Sequence, residues 1–116
     1  MTQIIGASPA PLLVTEGETV YLSIDWTDRE GAPATPTAVE FGCYDARTGA
    51  VLLAGATVPG PYSTTTEIVI PPAGTACQPG ATAMREVAVD ISAQFGSATE
   101  QKTMRQVLYV QPLHLL

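Results

Sequence analysis

Apolar and polar side chains alternate with a period of two along most of this chain. The clearest run is Thr19 to Trp26, where Val20, Leu22, Ile24 and Trp26 fall on one side and Tyr21, Ser23 and Asp25 on the other. Arg85 to Phe95 repeats the pattern, with Val87, Val89, Ile91, Ala93 and Phe95 against Glu86, Ala88, Asp90, Ser92 and Gln94. Successive side chains of a strand leave on opposite faces, so each run predicts a strand with one buried and one exposed face. Weaker runs fill the rest. Thr37 to Asp45 places Val39, Phe41 and Cys43 inward, and Ala50 to Ala54 puts Val51 and Leu53 on one face. Ser63 to Ile70 is β-branched almost throughout, which suits a pleated surface. Thr103 to Gln111 closes the series with competing faces, Leu108 and Val110 against Val107 and Tyr109, and a short strand is expected near Leu12 to Thr15.

The breakers between these runs are strong. Gly31, Pro33 and Pro36 interrupt 28–36, Ala46-Arg47-Thr48-Gly49 reads as a turn, and Pro59-Gly60-Pro61 cannot continue a ladder. The longest loop, Pro71 to Ala83, holds three prolines and two glycines. Gly96-Ser97-Ala98 reads as a hairpin turn. Seven short antiparallel strands with no helix predict a two-sheet antiparallel β-sandwich. With no internal repeat or linker, residues 1–116 are expected to form one domain, with 1–11 as an N-terminal arm and 112–116 as a tail.

Composition sharpens this. The 116 residues are 46% hydrophobic and 14% charged, against about 25% charged in an average domain, which argues against disorder. Eleven acidic residues against five basic ones give a net charge of −6, and the outward strand faces and both arms are expected to be where charge is missing. Arg29, Arg47, Arg85, Lys102 and Arg105 are scattered, so no basic stripe could track nucleic acid. Met1 to Val14 lacks a basic n-region and a continuous apolar core, and no apolar run approaches the roughly 20 residues that span a bilayer. No direct nucleic-acid or membrane partner is expected.

Candidate chemistry is sparse. His114, the sole histidine, stands three residues from the C-terminus, where neighbours cannot hold it as a triad base. Cys43 falls on the apolar side of a strand and Cys77 in a Pro/Gly loop; their spacing leaves a bond between them open and matches no zinc pattern. No nucleophile elbow, dinucleotide fingerprint or phosphate loop is present. Asp25, Asp28 and Glu30 could offer oxygen ligands to Ca²⁺, but a solvated turn in which Asp28 bonds its own backbone explains them better. Trp26 reads as a core anchor, and Tyr21, Tyr44, Tyr62 and Tyr109 form no spaced stripe. Neither catalytic residues nor a cofactor is expected. The arms are uncharged before His114 and apolar, so Ile4, Ile5, Leu113, Leu115 and Leu116 are the candidate partner contacts.

Residues 16–26, Glu-Gly-Glu-Thr-Val-Tyr-Leu-Ser-Ile-Asp-Trp, resemble the second strand of many immunoglobulin-like domains. The W-x-D-x-x-G turn of Trp26, Asp28 and Gly31, followed by D-x-x-T-G at Asp45, Thr48 and Gly49, resembles small immunoglobulin-like virion proteins of tailed bacteriophages. The likeness covers roughly residues 14–111. The antibody-type pattern is absent, because the Trp is on the second strand and the cysteines are not on the second and sixth. The resemblance implies an immunoglobulin-like sandwich that acts as a structural part of a particle: head decoration, head–tail connector or tail component. It implies partners among capsid, neck or tail proteins and copies of itself, assembled into a virion in the host cytoplasm. The competing expectation is a secreted or surface adhesion module that recognises carbohydrate or depends on calcium.

Overall fold

The computed structural model describes residues 12–28, 30–77 and 83–113, with backbone only for 97–100. Seven strands appear where alternation predicts them: β1 Leu12–Thr15, β2 Val20–Asp25, β3 Ala38–Asp45, β4 Val51–Thr57, β5 Thr65–Ile70, β6 Arg85–Phe95 and β7 Ser97–Gln111. They form a five-stranded sheet, ordered β1-β7-β6-β3-β4, and a two-stranded sheet, β2-β5. The described chain is all-β and sandwich-like; one turn of 3-10 helix, Pro72–Thr75, interrupts the long Pro/Gly loop.

The core lies between the sheets. Val20, Leu22, Ile24 and Trp26 on and just after β2, with Ile68 and Ile70 on β5, face Val39, Phe41 and Cys43 on β3. Val87, Val89, Ile91 and Ala93 on β6 and Leu108 and Val110 on β7 complete it. Trp26 is buried, meets Phe95 edge-on at 5.7 Å between centroids, and donates its indole N–H to Thr66 Oγ1 at 2.9 Å. A buried indole nitrogen needs such an acceptor, so the bond fixes the ring's orientation.

Four expectations are corrected. First, the sheet is mixed rather than antiparallel, because β1 runs parallel to β7 with Leu12 beside Leu108 and Thr15 beside Gln111. The turn after β1, where Gly17 adopts φ +79°, carries the chain into the other sheet, so no hairpin constrains the direction of β1. Second, β7 starts at Ser97 rather than Thr103, and the turn narrows to Gly96 at φ +86°. Third, Val51 and Leu53 do not share a face. Cys43 pairs with Leu53 and Tyr44 with Val51, so Leu52 is an extra residue in a bulge that sends Val51 outward. Fourth, the outer faces keep charge: Glu40, Glu86, Asp90 and Arg105 lie on the polar phase of the large sheet, and Asp25 and Glu67 on that of the small one.

The ambiguous face of β7 resolves toward Leu108 and Val110, and it brings Gln106 into the interior with them. Gln106 is fully buried beside Val89 and donates from Nε2 to Val107 O at 2.9 Å.

Candidate functional site

The two ends of the sandwich differ. At one end β3, β5 and β7 finish, β2, β4 and β6 begin, and the parallel β1 finishes beside β7. Polar groups tie this end together. Arg85 donates from Nε to Asp45 Oδ2 and from Nη1 to Ala76 O, each at 2.8 Å. The other carboxylate oxygen of Asp45 accepts the backbone N–H groups of Arg47 and Thr48, which shapes the β3–β4 turn. Both ion-pair side chains are largely shielded, 12% and 13% exposed. The bond from Arg85 holds the Asp45 carboxyl at about 2, below the usual carboxylate range. Thr75, also buried, donates its hydroxyl to Glu18 O, and Gly17 N–H reaches Thr75 O, so the β1–β2 turn is pinned to the 3-10 turn.

Around this braced end stands a collar of exposed apolar side chains. On the outer face of the large sheet, Leu13 (65% exposed) lies beside Tyr109 on the neighbouring strand. On the same face, Val51 (59% exposed) stands at the edge of a row across four strands in which Tyr44 and Val107 are half-buried and Ala88 is buried. On the outer face of the small sheet, Tyr21 (64% exposed) is paired with Val69, also exposed. Met84 immediately before β6 and Leu113 just after β7 extend the ring. Apart from Tyr44, Ala88 and Val107, these are the large hydrophobics most exposed among the described residues, and all lie within three residues of the strand ends on this side. At roughly 3.3 Å per residue, that places them within about 10 Å of those strand ends.

Beyond the collar, two hollows mix charged and hydroxyl side chains with apolar ones. A shallow hollow of about 510 Å³ on the outer face of the large sheet is lined by Glu40, Tyr44, Asp90, Ser92, Thr103 and Arg105 among others. Arg105 makes a bidentate pair with Asp90, exposed to solvent. The Tyr44 ring lies across Gly42, where a side-chain carbon would stand 2.7 Å from the phenolic oxygen. At the far end, a second open hollow of about 640 Å³ is bordered by Asp28, Glu30, Thr37, Phe95 and Lys102.

Of the contact residues expected from sequence, Leu113 is described. Its side chain is 57% exposed, and its backbone N–H is held by Glu16 Oε1 at 3.0 Å. Ile4, Ile5, Leu115 and Leu116, together with His114, lie outside the described residues. Asp28 Oδ1 accepts the N–H groups of Glu30 and Ala32, the solvated turn its sequence suggests, while Asp25 Oδ1 accepts the Thr65 hydroxyl. The two cysteines are free thiols. Burial, with the nearby charge of Asp90 second, pushes Cys43 up to about 11; burial also raises Cys77, whose Sγ lies 3.9 Å from Val110 O.

Pattern reading missed the collar. Tyr21, Val69, Tyr109 and Leu13 are apolar residues out of phase with the core, and each alone is unremarkable. Their common feature is nearness to a strand end on one side, which is visible only once register and strand direction are known. No family model matches this chain, and no curated protein or solved structure matches it either.

Proposed function

We propose that this chain is a non-enzymatic structural protein of a bacteriophage particle, a capsid decoration, head–tail connector or tail component that acts by protein–protein contact. The apolar collar is the observation that carries the contact half of this reading. Monomeric proteins seldom gather their exposed large hydrophobics in one zone, and such zones mark interaction surfaces. The braced base supports it further, because a contact surface on a rigid support loses little entropy on binding.

The particle half rests on the sequence resemblance. The strand order β1-β7-β6-β3-β4 over β2-β5 supports the immunoglobulin-like form of the sandwich that the resemblance implies. Quantitative mass spectrometry of gradient-purified particles tests it. A fixed number of copies per particle is expected, and absence of the chain from intact particles overturns the reading.

A further inference from the structure

We propose that the protein docks end-on, through the apolar collar, against a partner protein whose surface carries apolar and basic side chains together. This rests on the contact reading above and names the occupant of that surface.

The argument starts from where the collar sits. Leu13 and Tyr109 belong to one outer face and Tyr21 and Val69 to the opposite one, so no flat partner laid along either sheet could cover both. A surface that meets the end of the sandwich, with rims that embrace both faces, covers them together. The base of that end is braced by the Arg85–Asp45 pair and by Thr75, so it can bear a contact without rearranging.

Charge selects the occupant. Glu16, Glu18 and Glu86 stand among the collar residues, Glu86 in register with Tyr109 and the other two in the turn after β1. Among the described residues Arg47 is the exposed cation at this end that no carboxylate pairs, since Arg85 is committed to Asp45 and Arg105, near Tyr44 and Ala88, to Asp90. Two copies meeting end to end would set an acidic rim against an acidic rim, and like charges facing each other across an interface disfavour it. An anionic lipid surface is disfavoured for the same reason. A protein surface that sets Lys or Arg among apolar side chains satisfies both the collar and the glutamates within it.

The test uses the full chain and two defined probes: a short amphipathic peptide of Leu and Lys, and its Leu and Glu counterpart. Each is titrated into the isotopically labelled protein and followed by amide NMR shifts. The Leu–Lys peptide is expected to shift amides at Leu13, Tyr21, Val51, Val69 and Tyr109, with an affinity that falls as salt rises, and the Leu–Glu peptide is expected to leave them in place. A variant carrying Leu13→Ser, Tyr21→Ser and Tyr109→Ser should lose at least tenfold in affinity while still unfolding cooperatively well above the titration temperature, because none of the three side chains belongs to the buried core. Glu16→Gln, Glu18→Gln and Glu86→Gln together should weaken binding severalfold and flatten the salt dependence. Shifts confined to the opposite end, equal binding of both peptides, or binding of neither overturn the proposal. So does dimerisation in sedimentation velocity that the triple Ser variant abolishes, which would make a second copy the occupant. Absence of the chain from particles removes the particle reading and leaves the titration result standing.

Discussion

Three residues, Trp26, Gly74 and Cys43, show how single contacts hold this interior. The indole of Trp26 relies on the Thr66 hydroxyl as its acceptor. Thr66→Val keeps the shape and leaves a buried N–H without that partner, so denaturant unfolding should show a loss of about 1–3 kcal/mol. Gly74 sits under the core, where an added side-chain carbon would stand 2.6 Å from Ile70 Cγ2 and 3.0 Å from Cys43 Sγ. Gly74→Ala should therefore cost about 1–3 kcal/mol by overpacking, again read from the denaturation midpoint. The same closeness seals Cys43. Its buried thiol, held protonated at neutral pH, should resist alkylation of the native protein, while the partly exposed Cys77 reacts first; peptide mass mapping would show the order.

At the scale of elements, two ion pairs on the same sheet should behave differently. Asp45 and Arg85 join the β3–β4 turn to the start of β6 from largely shielded positions. The Asp45 carboxyl titrates at about 2 when folded against an ordinary 3.8, so its contribution is fully present above pH 4 and is lost as pH falls toward 2. Arg85→Met should remove that acid-side dependence and lower stability at pH 7 by about 2–3 kcal/mol, which a pH series of thermal melts would detect. Arg105 and Asp90 are joined by two hydrogen bonds but stand in solvent, 60% and 41% exposed. Arg105→Ala should change stability by less than about 1 kcal/mol in the same assay. Element existence was legible from alternation, and β6 was read to the residue. Element ends and faces were less so. The bulge at Leu52 broke the phase of β4, and Gln106 in phase with Leu108 hid the core face of β7.

Across the whole molecule, the pairings that close the fold join distant parts of the chain. Leu12 lies beside Leu108, and Val20 beside Ile70. Loop closure must precede the gain from such contacts, so folding should proceed on a millisecond-to-second timescale rather than in microseconds, as stopped-flow Trp26 fluorescence would show. The same long-range assembly creates the candidate site. Leu13, Tyr21, Val51, Val69 and Tyr109 come from five strands and converge on one end only because β1 runs parallel to β7 while β2 begins where β1 stops.

The sequence by itself determined that the chain is all-β, roughly where its strands lie, and which faces of β2, β3 and β6 line the core, because a period of two and the Gly and Pro breakers are local properties that each segment carries alone. It also determined that charge is scarce and acidic. Only the tertiary structure decided the direction of β1, the phase of β4 past its bulge, and the gathering of exposed hydrophobics into a collar at one end. Those depend on register between strands far apart in the chain, and a period within one strand holds no information about the alignment of another.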